Sequence, residues 1–335
     1  MKHIFLVGAC YLDTILSVPH YPEEDSKLRA QTLSTRRGGN CPNTTEVLSQ
    51  LLTPDAELHL ISCLPDASSA AAAKIKASFS SPSSTSSGEQ RAGEVGVQRG
   101  ARVDLSMCIH RAGIEEAASS FVIRSVKTGS RTIVNYSGLE EMSADEFRAV
   151  ADGVRESGGA EESWWHFEGR IPATTLKCIQ HLRLALPNTT VSVEVERPGR
   201  EGLTELASAA DVVFYSRSWA EDRGHNDATA CLKKETPPTA SLALCTWGSR
   251  GAAAYVPLER ETVVCPVLEP GGRDINVVDT IGAGDTFIAG MLYGLTCHQA
   301  DWDTRAKLRF AVDLATLKVQ RDGFDGLGRD ALGRL

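Results

Sequence analysis

The sequence predicts an α/β fold: a mostly parallel sheet sandwiched by helices, carrying a small inserted β-lid. Three observations predict it. Strand-like and helix-like stretches alternate along most of the 335 residues, as a parallel sheet covered by helices requires. Four β-rich stretches, residues 14–18, 27–35, 118–126 and 131–136, stand outside that alternation and mark a second, smaller β element. Near the C-terminus, VVDTIGAGDTF (residues 277–287) reads as a short strand, a glycine turn and the start of an amphipathic helix through Leu295.

Taken in order, the apolar run at residues 4–7 is the first buried strand, and Asp13 interrupts it too early for a secretory leader. A polar excursion leads to Arg37-Gly38-Gly39-Asn40, where Asn40 is an N-cap for a helix reaching about Leu52. Strands are expected at 58–62, 164–167, 191–195, 212–214 and 241–245, separated by helix-length stretches. A helix over 302–321 is expected to pack beside the one that follows Asp285. Residues 78–100, with SSPSSTSSG at 80–88, are too polar and repetitive to bury and are expected to form a disordered surface insertion.

Composition removes several function classes. The formal net charge is −8 and no basic cluster is interleaved with aromatics, which argues against a nucleic-acid partner. No apolar run is long enough to span a membrane. The nine cysteines include no C-x-x-C pair and fit reduced thiols in a cytoplasmic protein. His166-Phe167-Glu168 imitates a zinc-deaminase motif but lacks the partner P-C-x-x-C, so no metal-ligating residue is assigned. Neither a P-loop nor a dinucleotide fingerprint is present.

Gly282, Ala283 and Gly284 open a helix whose first-turn N–H groups have no intrahelical partners, a cradle for phosphate. Asp285 beside that cradle can take the proton of an attacking hydroxyl, and the helix N-terminus is expected to keep its carboxyl ionised. Gly39, Asn40 and Asn43 suit a polyol, because amides both donate and accept and glycine lets a ligand reach the backbone. Asp13 and Asp25 are further candidates on the same side of the sequence.

These stretches, in the order VGACYLDTI, YPEEDSKLR, RRGGNCPNT, GSRTIVNY, HFEGR, VSVEVERP, DVVFYSR, VVDTIGAGDTF and GFDGL, resemble the ribokinase-type, or phosphofructokinase-B, carbohydrate kinases, and among them the ketohexokinases. The resemblance implies one ribokinase-like kinase domain over residues 1–335, with lid segments near 14–37 and 118–137 in which the four β-rich stretches form a small antiparallel sheet over the sugar site. It implies that Asp13, Asp25, Gly39, Asn40 and Asn43 hold the sugar, that Asp285 is the catalytic base, and that Gly282, Ala283 and Gly284 form the anion hole. Arg131, Gly248 and Gly251 fall on its nucleotide-binding positions, and residues 323–326 are expected to turn back toward the adenine. ATP and Mg2+ are the implied cofactors, with K+ left open as a further ion, and a homodimer formed through the lid is the implied assembly.

The chain departs from the family pattern at residues 216–221, where SRSWAE replaces an Asn-x-x-Glu motif associated with magnesium, and at 64–68, where LPDAS replaces a glycine-rich turn. The expected function is transfer of the ATP γ-phosphoryl group to a hexose, with fructose and its C1 hydroxyl leading. A kinase of another sugar or a nucleoside is the alternative, and a non-catalytic sugar- or nucleotide-binding regulator is the remaining one.

Overall fold

The computed structural model describes residues 3–79, 100–158, 162–268 and 275–335. In chain order the strands are β1 (His3–Val7), β2 (Tyr11–Val18), β3 (Thr32–Gly38), β4 (Glu57–Ile61), β5 (Cys63–Leu64), β6 (Val103–Asp104), β7 (Ile109–His110), β8 (Ala118–Ser125), β9 (Arg131–Tyr136), β10 (Ser163–Phe167), β11 (Thr190–Val195), β12 (Val212–Tyr215), β13 (Leu242–Thr246), β14 (Ala252–Val256) and β15 (Glu261–Cys265). The helices are α1 (Asn40–Leu51), α2 (Ala70–Ser78), α3 (Ala144–Glu156), α4 (Pro172–Ala185), α5 (Leu203–Ser208), α6 (Arg217–Asp222), α7 (Ala228–Glu235), α8 (Ala283–Cys297), α9 (Thr304–Val319) and α10 (Leu327–Leu332).

A nine-stranded sheet in the order β15-β14-β13-β12-β11-β10-β1-β4-β6 forms the spine, in which β14 alone runs against the rest, antiparallel to both β13 and β15. Strands β10 and β12 are buried along their whole length, which is why they read as continuous apolar or aromatic runs rather than as alternating ones. Alternate side chains enter two cores. Leu6, Leu58 and Leu244 meet Met291, Leu308 and Leu314 on one face. Phe5, Trp165 and Val193 meet Ile179, Leu182 and Leu206 on the other, where Phe5 and Trp165 stack with centroids 4.0 Å apart. The helix expected beside the one after Asp285 is α9, packed on α8.

The lid is a four-stranded sheet in the order β3-β2-β8-β9, and it corrects the expected antiparallel arrangement. β2–β3 and β8–β9 are antiparallel hairpins, but β2 pairs with β8 in parallel. Each hairpin leaves the main body along its first strand, so two hairpins laid side by side place those first strands in the same direction. The strand expected at 27–35 lies later, at Thr32–Gly38. The serine-rich stretch begins later than expected: Ser78 closes α2, and Phe79 lies 4.4 Å beneath the Arg37 guanidinium. The remainder of that insertion, residues 80–99, lies outside the described residues.

The short strand expected at the start of VVDTIGAGDTF does not form. These residues form an extended connection with Val277 and Val278 exposed, held by a Val278 N–H bond to the Val319 carbonyl at 2.8 Å. Its anchor is Asp279, whose Oδ2 accepts from the fully buried Lys318 Nζ at 2.9 Å while Oδ1 accepts from the Ile281 N–H at 2.9 Å. Among the described residues there is no disulfide, and no helix is long and apolar enough to cross a membrane.

Because Lys318 is sealed in protein, Asp279→Ala strands a buried ammonium. It is expected to lower unfolding free energy by about 3 kcal/mol in urea titration, whereas Asp279→Ala combined with Lys318→Met recovers most of the loss.

Candidate active site

The C-terminal ends of the parallel strands face the lid across an open cleft of about 610 Å³, the position where open α/β sheets take ligands. Asp13, Gly39, Asn40, Asn43, Arg131, Gly282, Ala283, Gly284 and Asp285 all line it. Asp25, Gly248 and Gly251 do not. Asp25 is exposed in the loop between β2 and β3 with φ 57°. Gly248 and Gly251 flank a 3₁₀ turn after β13, and Gly251 is required there by packing: a Cβ would sit 2.0 Å from the Cys265 carbonyl oxygen.

Helix α8 opens at Gly282, which has φ 75°, and no side chain caps it. A Cβ at Gly282 would lie 2.4 Å from Phe324 Cζ, so backbone and packing both demand glycine. A Cβ at Gly284 would meet nothing within 4 Å. The missing side chain there serves no packing purpose; it leaves the uncapped helix end open to the cleft.

Asp285, in the first turn of α8, accepts a 2.8 Å hydrogen bond from Asn43 Nδ2. Asn43 is held in turn by Arg37, whose Nη1 donates to its Oδ1 at 3.3 Å and whose Nη2 pairs with Glu46. Burial lowers the Arg37 pKa to about 10, which leaves it charged at neutral pH. The expectation that the helix keeps Asp285 ionised is corrected. Its pKa is raised well above the usual aspartate value, first by burial and then by the negative charges of Glu194, Glu196 and Glu168, against which Asn43 acts in the opposite direction. Desolvation and like charges shift a carboxyl by several pKa units, whereas a helix terminus contributes about 0.3–1 kcal/mol.

Those three glutamates were not singled out in the sequence. Glu194 lies near the C-terminal end of β11, and Glu196 and Glu168 just beyond the ends of β11 and β10; Glu168 and Glu196 line the cleft, and all three charges act on Asp285. The E-V-E spacing in VSVEVERP was the legible signal. Asn40 is not an N-cap as expected. Gly39 takes that position with φ 105°, and its Cβ would lie 2.2 Å from the Ala9 carbonyl oxygen. Released from capping, the Asn40 amide donates to Glu194 at 2.7 Å and Glu196 at 2.9 Å. Burial, then Glu196, raises the Glu194 pKa to about 8, and burial, then Glu194, does the same for Glu168. His166, its pKa lowered to about 3 by burial, bridges Ser192 and Glu194 as a neutral ring.

From the lid, Asp13 fits beside Gly38, where a Cβ would come within 2.2 Å of its carboxylate. Arg131 reaches across to Thr280 Oγ1 at 3.3 Å, and Arg124 reaches the Val278 carbonyl at 3.5 Å. The residues replacing the Asn-x-x-Glu motif are occupied locally: Ser216 caps α6, and Glu221 pairs with Arg217 at 2.7 Å.

An uncapped helix end, a carboxyl of raised basicity and a polar lid describe a group-transfer site for a hydroxylated substrate. Residues 98–326 match the pfkB family carbohydrate kinases. The chain belongs to that family. Ketohexokinase from Mus musculus is 32% identical over 336 residues, covering 97% of this chain and 99% of the relative. A fructokinase from Rhizobium leguminosarum bv. trifolii is 35% identical over 96 residues, 28% of this chain and 27% of the relative. The fold is shared with the ribokinase of Giardia lamblia (TM-score 0.71, 17% identity, 99% of both chains) and with Arabidopsis thaliana ribokinase complexed with ribose and ATP (TM-score 0.70, 18% identity, 99% of this chain and 98% of the other). As a pfkB kinase, the protein is an ATP-dependent carbohydrate kinase.

Gly284→Ala separates packing from function. The added methyl has room and favours the helix by about 0.5–1 kcal/mol, so thermal stability is expected to hold or rise. Turnover is expected to fall by about tenfold or more, because the methyl occupies the approach to the first-turn amides; a steady-state assay beside a melting curve reads both.

Proposed function

We propose that this pfkB kinase phosphorylates fructose at its C1 hydroxyl. The observation that carries the reading is the 2.8 Å Asn43–Asp285 hydrogen bond, which couples the polyol-binding end of α1 to the phosphate-binding end of α8. The full-length likeness to a ketohexokinase supports fructose over ribose or a nucleoside.

In this mechanism Asp13, Asn40 and Asn43 orient the sugar between lid and sheet, and Asp285 accepts the proton of the attacking hydroxyl. The free N–H groups of α8 and Arg131 face the transferring phosphoryl group, and the lid excludes water, the competing acceptor. Asp25, Gly248 and Gly251 lie outside the lining of this cleft. The donor set fits magnesium, since Glu168, Glu194, Glu196 and Asp285 offer only oxygen and Glu196 is exposed. Magnesium held by nucleotide phosphates and water near Glu196 would neutralise phosphate charge.

The assembly proposed is a homodimer through the lid's outer face. Lid strands turn Asp13, Ser120 and Arg131 into the cleft, so alternation turns Leu33, Phe121 and Val134 outward, and all three are exposed. A second copy of the same apolar face is the occupant that matches it in shape and chemistry.

Initial rates with ATP across fructose, tagatose, ribose and adenosine are expected to favour fructose by about tenfold or more; preference for ribose or adenosine overturns the fructose assignment. Tight sugar binding without ADP release in a coupled assay would favour the non-catalytic alternative. Asp285→Asn is expected to cost at least about a hundredfold in kcat with little change in sugar affinity. Since Asp285 must be deprotonated to act, activity rises with pH through its raised pKa. Glu194→Gln removes the largest neighbouring negative charge, and the acidic limb of the kcat/KM profile is expected to move to lower pH.

A further inference from the structure

A second cluster lies at the opposite end of the sheet, where the parallel strands begin. β1 and β4 pair with His3 opposite Glu57 and Phe5 opposite His59. Side chains alternate with period two, so His3, Glu57 and His59 emerge on one face. The next strand continues the row, with Asp104 of β6 opposite His59. The His3 and His59 rings lie within 12° of parallel, and His59 stacks on Phe5 with centroids 4.5 Å apart, which fixes where the ring nitrogens point.

We propose that His3, Glu57 and His59 bind one divalent transition-metal ion with the preferences of zinc. Three donor atoms converge: His3 Nδ1 lies 3.0 Å from Glu57 Oε2 and 3.5 Å from His59 Nε2, which is 3.7 Å from the same carboxylate oxygen. The edge of a tetrahedron around zinc with nitrogen and oxygen ligands is about 3.3 Å, so an ion can touch all three without backbone movement.

A second observation sets which ring nitrogen is left for a metal. His59 Nδ1 lies 3.0 Å from Asp104 Oδ2, and Asp104 is itself held by the Ser106 N–H and hydroxyl, each at 2.9 Å. An ionised carboxylate can only accept, so Nδ1 is the ring nitrogen that donates to Asp104, and Nε2 is the one that faces His3 and Glu57. A carboxylate behind a ligating histidine is the usual outer support of such sites. His59 is 8% exposed, His3 13% and Glu57 41%, so the ion is enclosed by protein on one side and reached from solvent past Glu57. Solvent supplies the remaining coordination position. Two imidazoles and one carboxylate favour zinc, nickel or cobalt over magnesium, which separates this site from the nucleotide's metal. An ion here would clamp the start of β1 to β4.

The test uses the full-length protein, stripped with a chelator and titrated with Co2+ as a spectroscopic probe, then with Zn2+ in competition. One equivalent of Co2+ is expected, with visible bands of a nitrogen–oxygen site, no thiolate charge-transfer band, and displacement by Zn2+. Glu57→Gln and His59→Gln are each expected to weaken binding by at least about tenfold, and Asp104→Asn by about tenfold, while magnesium-dependent sugar-kinase turnover stays within about twofold. Should His59→Gln fail to fold, the half-exposed Glu57 carries the test. No stoichiometric binding, a thiolate signature from a cysteine, or affinity unchanged in Glu57→Gln overturns the proposal.

Discussion

The hydrogen bond between Asn43 and Asp285 is the constraint on which the site depends. It joins the first turns of two helices far apart in sequence, α1 and α8, at the end of the sheet where the parallel strands finish. Neither partner is free to drift. Asn43 is gripped by a buried Arg37 that is itself paired with Glu46 and laid over Phe79, while Gly282 sits directly on Phe324. The buried Asp279–Lys318 pair anchors the connection leading into α8. The Asp285 carboxyl is thus located by a chain of contacts that runs back into the protein, leaving the cleft mouth free for ligands.

That arrangement concentrates negative charge. Asp285 sits among three glutamates, and the direct hydrogen bonds to those carboxyls come from uncharged groups such as the Asn40 amide and the His166 ring on Glu194 and the Ala9 N–H on Glu168. Glu168 and Glu194 are pushed up to about 8 and Asp285 well above the usual aspartate range, because burial and mutual repulsion cost far more than a helix terminus returns. A base of raised pKa is the better proton acceptor for a sugar hydroxyl. The same crowding makes the cleft receptive to a hard cation entering with the nucleotide, and the lid arginines add positive charge from above.

Much of the scaffold was legible because it rests on local pattern. Residues 4–7, 58–62, 164–167, 191–195, 212–214 and 241–245 all lie in or beside strands of the main sheet, and the GAGD turn starts a helix. What failed depended on tertiary context. Val277 and Val278 have strand-like side chains but no sheet edge to join, so they remain an extended connection. Asn40 has the chemistry of a cap, yet Gly39 makes the turn that a cap would make, which frees the amide for the glutamates. The basicity of Asp285 could not be read from its own helix because the groups that set it come from β10 and β11, over 80 residues earlier in the chain. The parallel β2–β8 contact was equally hidden, since pairing direction between two hairpins is decided by where each leaves the body.

Strand parity connects these features. In the lid it sends Asp13, Ser120 and Arg131 to the cleft and Phe121 and Val134 to the outside, so a one-residue slip in the β2–β8 register would exchange a polar ligand wall for an apolar one. In the main sheet the same parity places His3, Glu57 and His59 together at the start of β1 and β4, while Glu194 near the finish of β11 and Glu196 just beyond it share the Asn40 amide. The two ends then diverge chemically. Where the strands finish, oxygen donors crowd around an uncapped helix and suit phosphate with magnesium; where they begin, imidazoles backed by a carboxylate suit a softer ion. Register therefore determines not only which residues form the core but which chemistry appears at each end of the sheet.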